Sequence, residues 1–193
     1  KVPKICFIPT ASGDNNLYKL NFYRAFSKLN CETSHIDFFS RTEELDKKIL
    51  SQDIVYVGGG NTKSMLAVWR DWNLHLILKK AYDNGIIMSG VSAGAICWFE
   101  KGITDSYANR LEILDCLGFV KGIACPHFDE EKEREPYVND LISKNLIDSC
   151  ICIEGYSALH INRNEFKTIN FGDNKKCFKI CRKNNKIFKK FFC

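Results

Sequence analysis

The sequence predicts an α/β fold built on a mostly parallel sheet with helices on both faces. Two observations carry this. Strand-length apolar runs alternate with longer segments of helical periodicity through most of the chain. From residue 157 onward the text changes to short alternating runs broken by polar turns, which predicts antiparallel hairpins closing one edge of the sheet. The 193 residues, 45% of them hydrophobic, suffice for one substantial core and are short for two, so residues 1–193 are expected to form one domain.

The elements follow in order. Residues 5–9 are an apolar run ending in the turn Thr10-Ala11-Ser12-Gly13-Asp14, and Leu17, Leu20, Phe22, Tyr23, Phe26 and Leu29 then recur on one side of a helix. Residues 32–39 read as a strand, 41–51 as a helix and 53–57 as a β-branched strand that stops at Gly58-Gly59-Gly60. Helices are expected over 61–70 and 72–83, with Asn84-Gly85 as a left-handed C-terminal cap. Residues 86–90 form a short strand, and an apolar helix is expected to start at Ala93. Residues 123–126 are a strand end, 130–145 a helix and 149–153 a strand ending at Glu154-Gly155. Hairpin turns are expected at Asn162-Arg163-Asn164, Gly172-Asp173-Asn174 and Lys183-Asn184-Asn185.

Composition narrows the function classes. With 28 basic against 23 acidic residues, net +5, and no basic stripe, nucleic-acid binding is not expected. No run of about 18 uncharged apolar residues predicts a membrane span, and Lys1-Val2-Pro3-Lys4 shows no leader pattern. The ten cysteines sit singly inside apolar runs such as Cys150-Ile151-Cys152-Ile153, which favours buried free thiols and a reducing cytoplasm. The Phe and Lys alternation over residues 175–193 is read as an edge hairpin with snorkelling lysines.

The chemistry centres on Gly90-Val91-Ser92-Ala93-Gly94. A G-x-S-x-G run between a strand and a helix is the nucleophile elbow, a strained turn that lifts a serine hydroxyl above the strand ends. The plain alternative is a helix cap after a glycine turn. The Ala93 amide, at a helix start, is placed to stabilise an oxyanion. Gly58-Gly59-Gly60-Asn61-Thr62 again follows a strand and opens a helix, and reads equally as a tight turn or as the source of a second oxyanion donor. It has neither Walker nor dinucleotide spacing. A serine nucleophile needs a base, and of the four histidines His127, in Cys125-Pro126-His127-Phe128 just past a strand end, is the best placed. The carboxylate that orients it is Glu154 or Asp105; position does not separate them.

These motifs, with Ile153-Glu154-Gly155, resemble the peptidase E family of serine peptidases in order and spacing over nearly the whole chain. The resemblance implies a flavodoxin-like three-layer sandwich of the class I glutamine-amidotransferase kind, no metal or organic cofactor, and hydrolysis of short peptides after an N-terminal aspartate. It makes Ser92 the nucleophile, His127 the base and Glu154 the third member, with Asp105 matching an acidic position also considered for that role. Gly60 and Ala93 would form the oxyanion hole, Asn61 and Thr62 would border the substrate, and a homodimer is favoured. The aspartyl dipeptidases of the family carry a longer loop after the histidine, with an arginine that pairs with the substrate aspartate. Here the stretch is short and acidic, residues 129–135, and Arg134 among its five acidic residues is read first as a solvated surface ion pair and second as that arginine. The remaining readings are another serine hydrolase, an esterase or amidase, on the same scaffold, and a non-catalytic binding protein.

Overall fold

A computed structural model describes residues 1–42, 44–183 and 186–192. Strands β1 (Lys4–Ile8), β2 (Glu32–His35), β3 (Ile54–Val57) and β4 (Ile87–Gly90) form a parallel sheet in the order β2-β1-β3-β4. This is a doubly wound order, whose reversal point between β1 and β3 opens a crevice at the carboxyl ends of the strands.

Alternation along β1 and β3 divides the core. Ile5 and Phe7 face α1 (Asn16–Phe26), where Phe7 stacks on Phe22 with ring centroids 4.7 Å apart. Cys6, Ile8, Val55 and Val57 face the opposite layer, packing with Ile49 of α2 (Leu45–Leu50), Met65, Leu66 and Trp69 of α3 (Thr62–Asp71), and Leu74 and Leu78 of α4 (Leu74–Asp83). Each fully buried aliphatic side chain contributes roughly 1.5–3 kcal/mol through removal from water. Helix α4 ends as expected at Asn84-Gly85. Gly85 has φ 83°, and the Ile86 and Gly85 amides bond back to the Ala81 and Tyr82 carbonyls, a Schellman arrangement that only an unhindered residue adopts cheaply.

A second sheet contains β5 (Phe99–Tyr107), β6 (Arg110–Asp115), β7 (Val120–Cys125), β8 (Ser149–Ile153), β11 (Cys177–Lys183) and β12 (Lys186–Phe191), in the order β12-β11-β8-β7-β5-β6. Its central strands β5, β7 and β8 are parallel, while β6 on one side and β11-β12 on the other pair antiparallel. Period-2 alternation again assigns the faces. Cys125, Cys150 and Cys152 pack with Val138, Leu141 and Ile142 of α6 (Arg134–Ser143), while Ala124 and Ile151 pack with Ile96 and with the hairpin β9 (Ser157–Asn162)–β10 (Glu165–Asn170). The whole is the flavodoxin-like α/β sandwich with an antiparallel hairpin at its edge.

Several boundaries differ from expectation. The strand at 32–39 ends at His35, because the Phe38 and Phe39 amides turn to the buried carboxylate of Asp14 instead of a neighbouring strand. The helix after Ser92 is a single turn, α5 (Ala93–Ile96), and the chain then forms the hairpin β5-β6, where no element was expected. The turn at 162–164 lies between β9 and β10, with Arg163 at φ 55°. Of the turn at Lys183-Asn184-Asn185, residues 184 and 185 lie outside the described residues. The nine described cysteines are free, as their apolar settings indicated, and no described helix is long and apolar enough to cross a membrane.

Candidate active site

Ser92 sits between β4 and α5 with φ 54° and ψ −115°, a conformation that L-residues avoid and that survives only where the surroundings enforce it. Here the flanking glycines enforce it. A Cβ on Gly90 would overlap the Gly94 and Val57 carbonyl oxygens, and one on Gly94 would overlap the Val57 oxygen. The two small residues of the elbow therefore let the turn press against β3. Gly94→Ala is expected to cost about 3 kcal/mol or more, because the obstacle is backbone and cannot rotate away. In a thermal melt this would lower Tm by about 6–12 °C for a chain of this size.

The glycine loop after β3 meets the elbow from the other side. A Cβ on Gly59 would stand 3.2 Å from the Ser92 Cβ, and Gly60 at φ 135° has no room for one against the Ala11 carbonyl. The loop is held by the Gly59 amide donating to the Tyr18 hydroxyl (3.0 Å), by the Asn61 amide donating to the Ala11 carbonyl (2.8 Å), and by the Asn61 Oδ1 capping α3 through the Ser64 amide (2.8 Å). Among the described residues, neither the Gly60 nor the Ala93 amide donates to any acceptor, and Ser92 Oγ has no hydrogen bond. Cys97, one turn beyond, is fully buried, its Sγ 3.4 Å from the Gly94 carbonyl, and burial pushes its thiol pKa well up; it is no nucleophile.

His127 follows the end of β7 with φ 51°. Its loop is fixed by the Phe128 amide on the Ile153 carbonyl (3.1 Å) and by Asp129, which accepts from the Gly155 amide (2.8 Å) and pairs with Lys175. Partial burial raises the Asp129 pKa, but Lys175 and the Gly155 amide outweigh it and the net shift is downward. The carboxylate at His127 is Glu130: its Oε2 lies 2.6 Å from the ring Nδ1. Glu130 in turn rests on Gly155, where a Cβ would overlap its carboxyl. Neither expected third member occupies this place. Glu154 accepts from the Lys176 amide (2.9 Å), tying β8 to the segment before β11, and Asp105 projects from β5, 68% exposed. The contact of Glu130 with His127 was not among the sequence expectations, although three residues across a tight turn suffice to bring a carboxylate back onto an imidazole. Ser92 and His127 share no hydrogen bond.

Beside Ser92 lies a cavity of ≈ 270 Å³ lined by Gly60, Asn61, Ser92, Asp105, Ser106, Glu131 and Arg134. Arg134 is not the surface residue first expected. As the first residue of α6 its side chain is 2% exposed, and it tucks beneath β5, donating from Nε to Glu131 Oε2 (2.7 Å) and from Nη1 to the Ile103 carbonyl (3.2 Å). Burial raises the nearby Cys125 thiol to about 12 even though this cation lowers it. Thr62 does not border the cavity. It is buried behind it, its amide donating to Ser106 Oγ (2.9 Å) and its hydroxyl 3.3 Å from Thr104 Oγ1.

Comparisons with known proteins bear on the family and the fold. The model of Peptidase family S51 matches residues 1–169. The uncharacterised peptidase YgaJ of Bacillus subtilis (strain 168) is 43% identical over 187 residues, 96% of this chain and 81% of that protein. Two solved structures share the fold. A Listeria monocytogenes EGD-e protein, whose name offers it as a candidate peptidase E, has a TM-score of 0.69 at 20% identity, over 88% of this chain and 87% of its own. A peptidase from an acI-B1 Actinobacterium has a TM-score of 0.68 at 16% identity, over 96% of this chain and 80% of its own. With an elbow serine beside two acceptor-free amides and a family model spanning most of its length, this chain belongs to peptidase family S51.

Proposed function

We propose that this peptidase is of the serine type and works by acyl transfer from short peptides. The observation that carries the reading is Ser92 in its strained turn, flanked by the unused amides of Gly60 and Ala93. Ser92 Oγ attacks the scissile carbonyl carbon as its proton passes to His127 Nε2. The carbonyl oxygen, now an anion, is held by the two amides. Collapse breaks the C–N bond, His127 returns the proton to the leaving amine, and water, deprotonated by His127, then hydrolyses the acyl-serine. Glu130 holds Nδ1 protonated and so leaves Nε2 as the basic nitrogen, the orienting role first considered for Glu154 and Asp105. The missing Ser92–His127 hydrogen bond is compatible with this, since such bonds are often long in free enzymes and shorten when substrate binds.

Hydrolysis after an N-terminal aspartate would require Arg134 to exchange Glu131 for the substrate carboxylate. Free, mostly buried thiols fit a cytoplasmic setting. The test is hydrolysis of a panel of dipeptides and tripeptides varied at the first residue, followed by release of free amino acid. Cleavage of at least one series is expected, and a panel left intact by freshly purified, folded protein would overturn the peptidase mechanism.

A further inference from the structure

Resting on the acyl-transfer reading, we propose that Tyr18 is a positioning residue of the reaction: its hydroxyl fixes the peptide ahead of Gly60 and so keeps the Gly60 amide free to hold the oxyanion. Four consecutive amides run through the glycine loop, and three are committed to three different parts of the fold. Gly58 donates to the Ile8 carbonyl of β1 (3.1 Å), Gly59 to the Tyr18 hydroxyl of α1 (3.0 Å) and Asn61 to the Ala11 carbonyl in the turn after β1 (2.8 Å). Gly60 alone of the four donates to no acceptor among the described residues. It lines the same cavity as Ser92.

The loop needs such anchors because it cannot fix itself. Glycine adopts either sign of φ at little cost, and rotation of the Gly59–Gly60 peptide plane would turn the Gly60 N–H away and bring a carbonyl oxygen into its place. The peptides on either side oppose that rotation, one held through the Gly59 amide and the other through the Asn61 amide. The hold on Asn61 is backbone on backbone, with Gly60 at φ 135° seated against Ala11. The hold on Gly59 is a side chain, and Tyr18 is the one side chain outside the loop that bonds any of the four amides among the described residues. Preorganised donors stabilise a developing charge because they need not reorient as it forms. A donor whose peptide can turn over loses that advantage.

Tyr18 is itself built into place. Its amide donates to the Asn15 Oδ1 that caps α1 (3.0 Å), and its ring meets Phe7 edge to face with centroids 5.2 Å apart. Gly58 makes room for the ring, since a Cβ there would lie 2.9 Å from Tyr18 Cε1. Phenylalanine keeps these contacts and loses only the acceptor.

The test compares wild type with Tyr18→Phe and with Tyr56→Phe, whose ring belongs to the same aromatic cluster and whose hydroxyl bonds none of the loop amides. The probe is a fluorophosphonate, because its phosphoryl oxygen takes the place of the oxyanion as Ser92 Oγ displaces fluoride. Modification of Ser92 is expected to be about 10–100-fold slower in Tyr18→Phe, short of the roughly 10²–10³-fold that outright removal of an oxyanion donor costs. The kcat for dipeptides that wild type cleaves should fall alike, with KM changed by less than about 3-fold. With 12 glycines in the chain, glycine-selective isotope labelling lets hydrogen exchange at the Gly59 amide be followed by NMR, and it should quicken by about 10-fold or more in Tyr18→Phe. Tyr56→Phe should match wild type in every measurement. A wild-type modification rate in folded Tyr18→Phe, whatever its Tm, equal slowing in Tyr56→Phe, or unchanged exchange at Gly59 each overturns the proposal. The exchange measurement needs no reaction at Ser92, so a wild-type protein inert to the fluorophosphonate would sink the acyl-transfer reading while Gly59 still decided whether Tyr18 holds the loop.

Discussion

Replacing Ser92 with alanine is expected to lower kcat by about 10⁴-fold or more, with KM altered by much less, because the substitution removes the atom proposed to form the acyl bond and leaves the cavity intact. The size of the effect follows from the chemistry. Without Oγ, only the amides of Gly60 and Ala93, proposed to hold the oxyanion, and substrate orientation remain. The Ser92 hydroxyl makes no hydrogen bond among the described residues, while its carbonyl accepts from the Ala95 and Ile96 amides in a way alanine preserves, and alanine keeps the Cβ that already fits against Gly59. The variant should therefore melt close to wild type, so lost activity with an unchanged Tm would isolate a chemical role. Substantial residual turnover in rigorously purified Ser92→Ala would show that another group does the chemistry.

The second large effect is expected at Glu130. Glu130→Gln should lower kcat by about 10²–10⁴-fold, since the amide no longer fixes the imidazole tautomer or balances the imidazolium that forms when His127 takes the serine proton. Glu130→Asp should recover part of the rate. Glu154→Gln is expected to change kcat only a few-fold, since the Glu154 carboxylate is bound to the Lys176 amide and not to His127. The opposite ranking, Glu154→Gln crippled and Glu130→Gln near wild type, would return the orienting role to Glu154.

Much of the architecture was legible because it obeys simple periodicities. The strands β1, β3 and β4 are apolar runs halted by turn residues, and the free thiols of Cys125, Cys150 and Cys152 alternate with Ala124 and Ile151 between two packed faces. The strained turn at Ser92 was legible because steric crowding against Val57 demands glycine at both Gly90 and Gly94, and that demand is written directly in the sequence. The hairpin β5-β6 was not. Glu100, Lys101, Asp105 and Ser106 interrupt its apolar pattern, and Gly102, the kind of residue that usually weakens a strand, is present because Ile96 of α5 fills the space where its side chain would lie. Missing that hairpin hid its function, since β5 delivers Asp105 and Ser106 to the cavity and covers Arg134.

The carboxylates were the hardest part to read, for a physical reason. A charged residue in an acidic run looks solvated, and nothing local marks Arg134 as turned inward; its burial is set by β5, distant in sequence, together with its partner Glu131. That Glu130 lies against the His127 ring follows from the left-handed backbone at His127, which folds the next turn back on it. Outside glycine a positive φ is uncommon, and the enrichment of histidine there is too slight for the residue type at 127 to signal it.

The most direct test of the central claim is to treat the protein with a fluorophosphonate and map the modified peptide by mass spectrometry. A single adduct on Ser92 is expected, absent in Ser92→Ala and formed more slowly in Glu130→Gln. An adduct on a different residue, or none on folded wild-type protein that still cleaves peptides, would contradict Ser92 as the nucleophile.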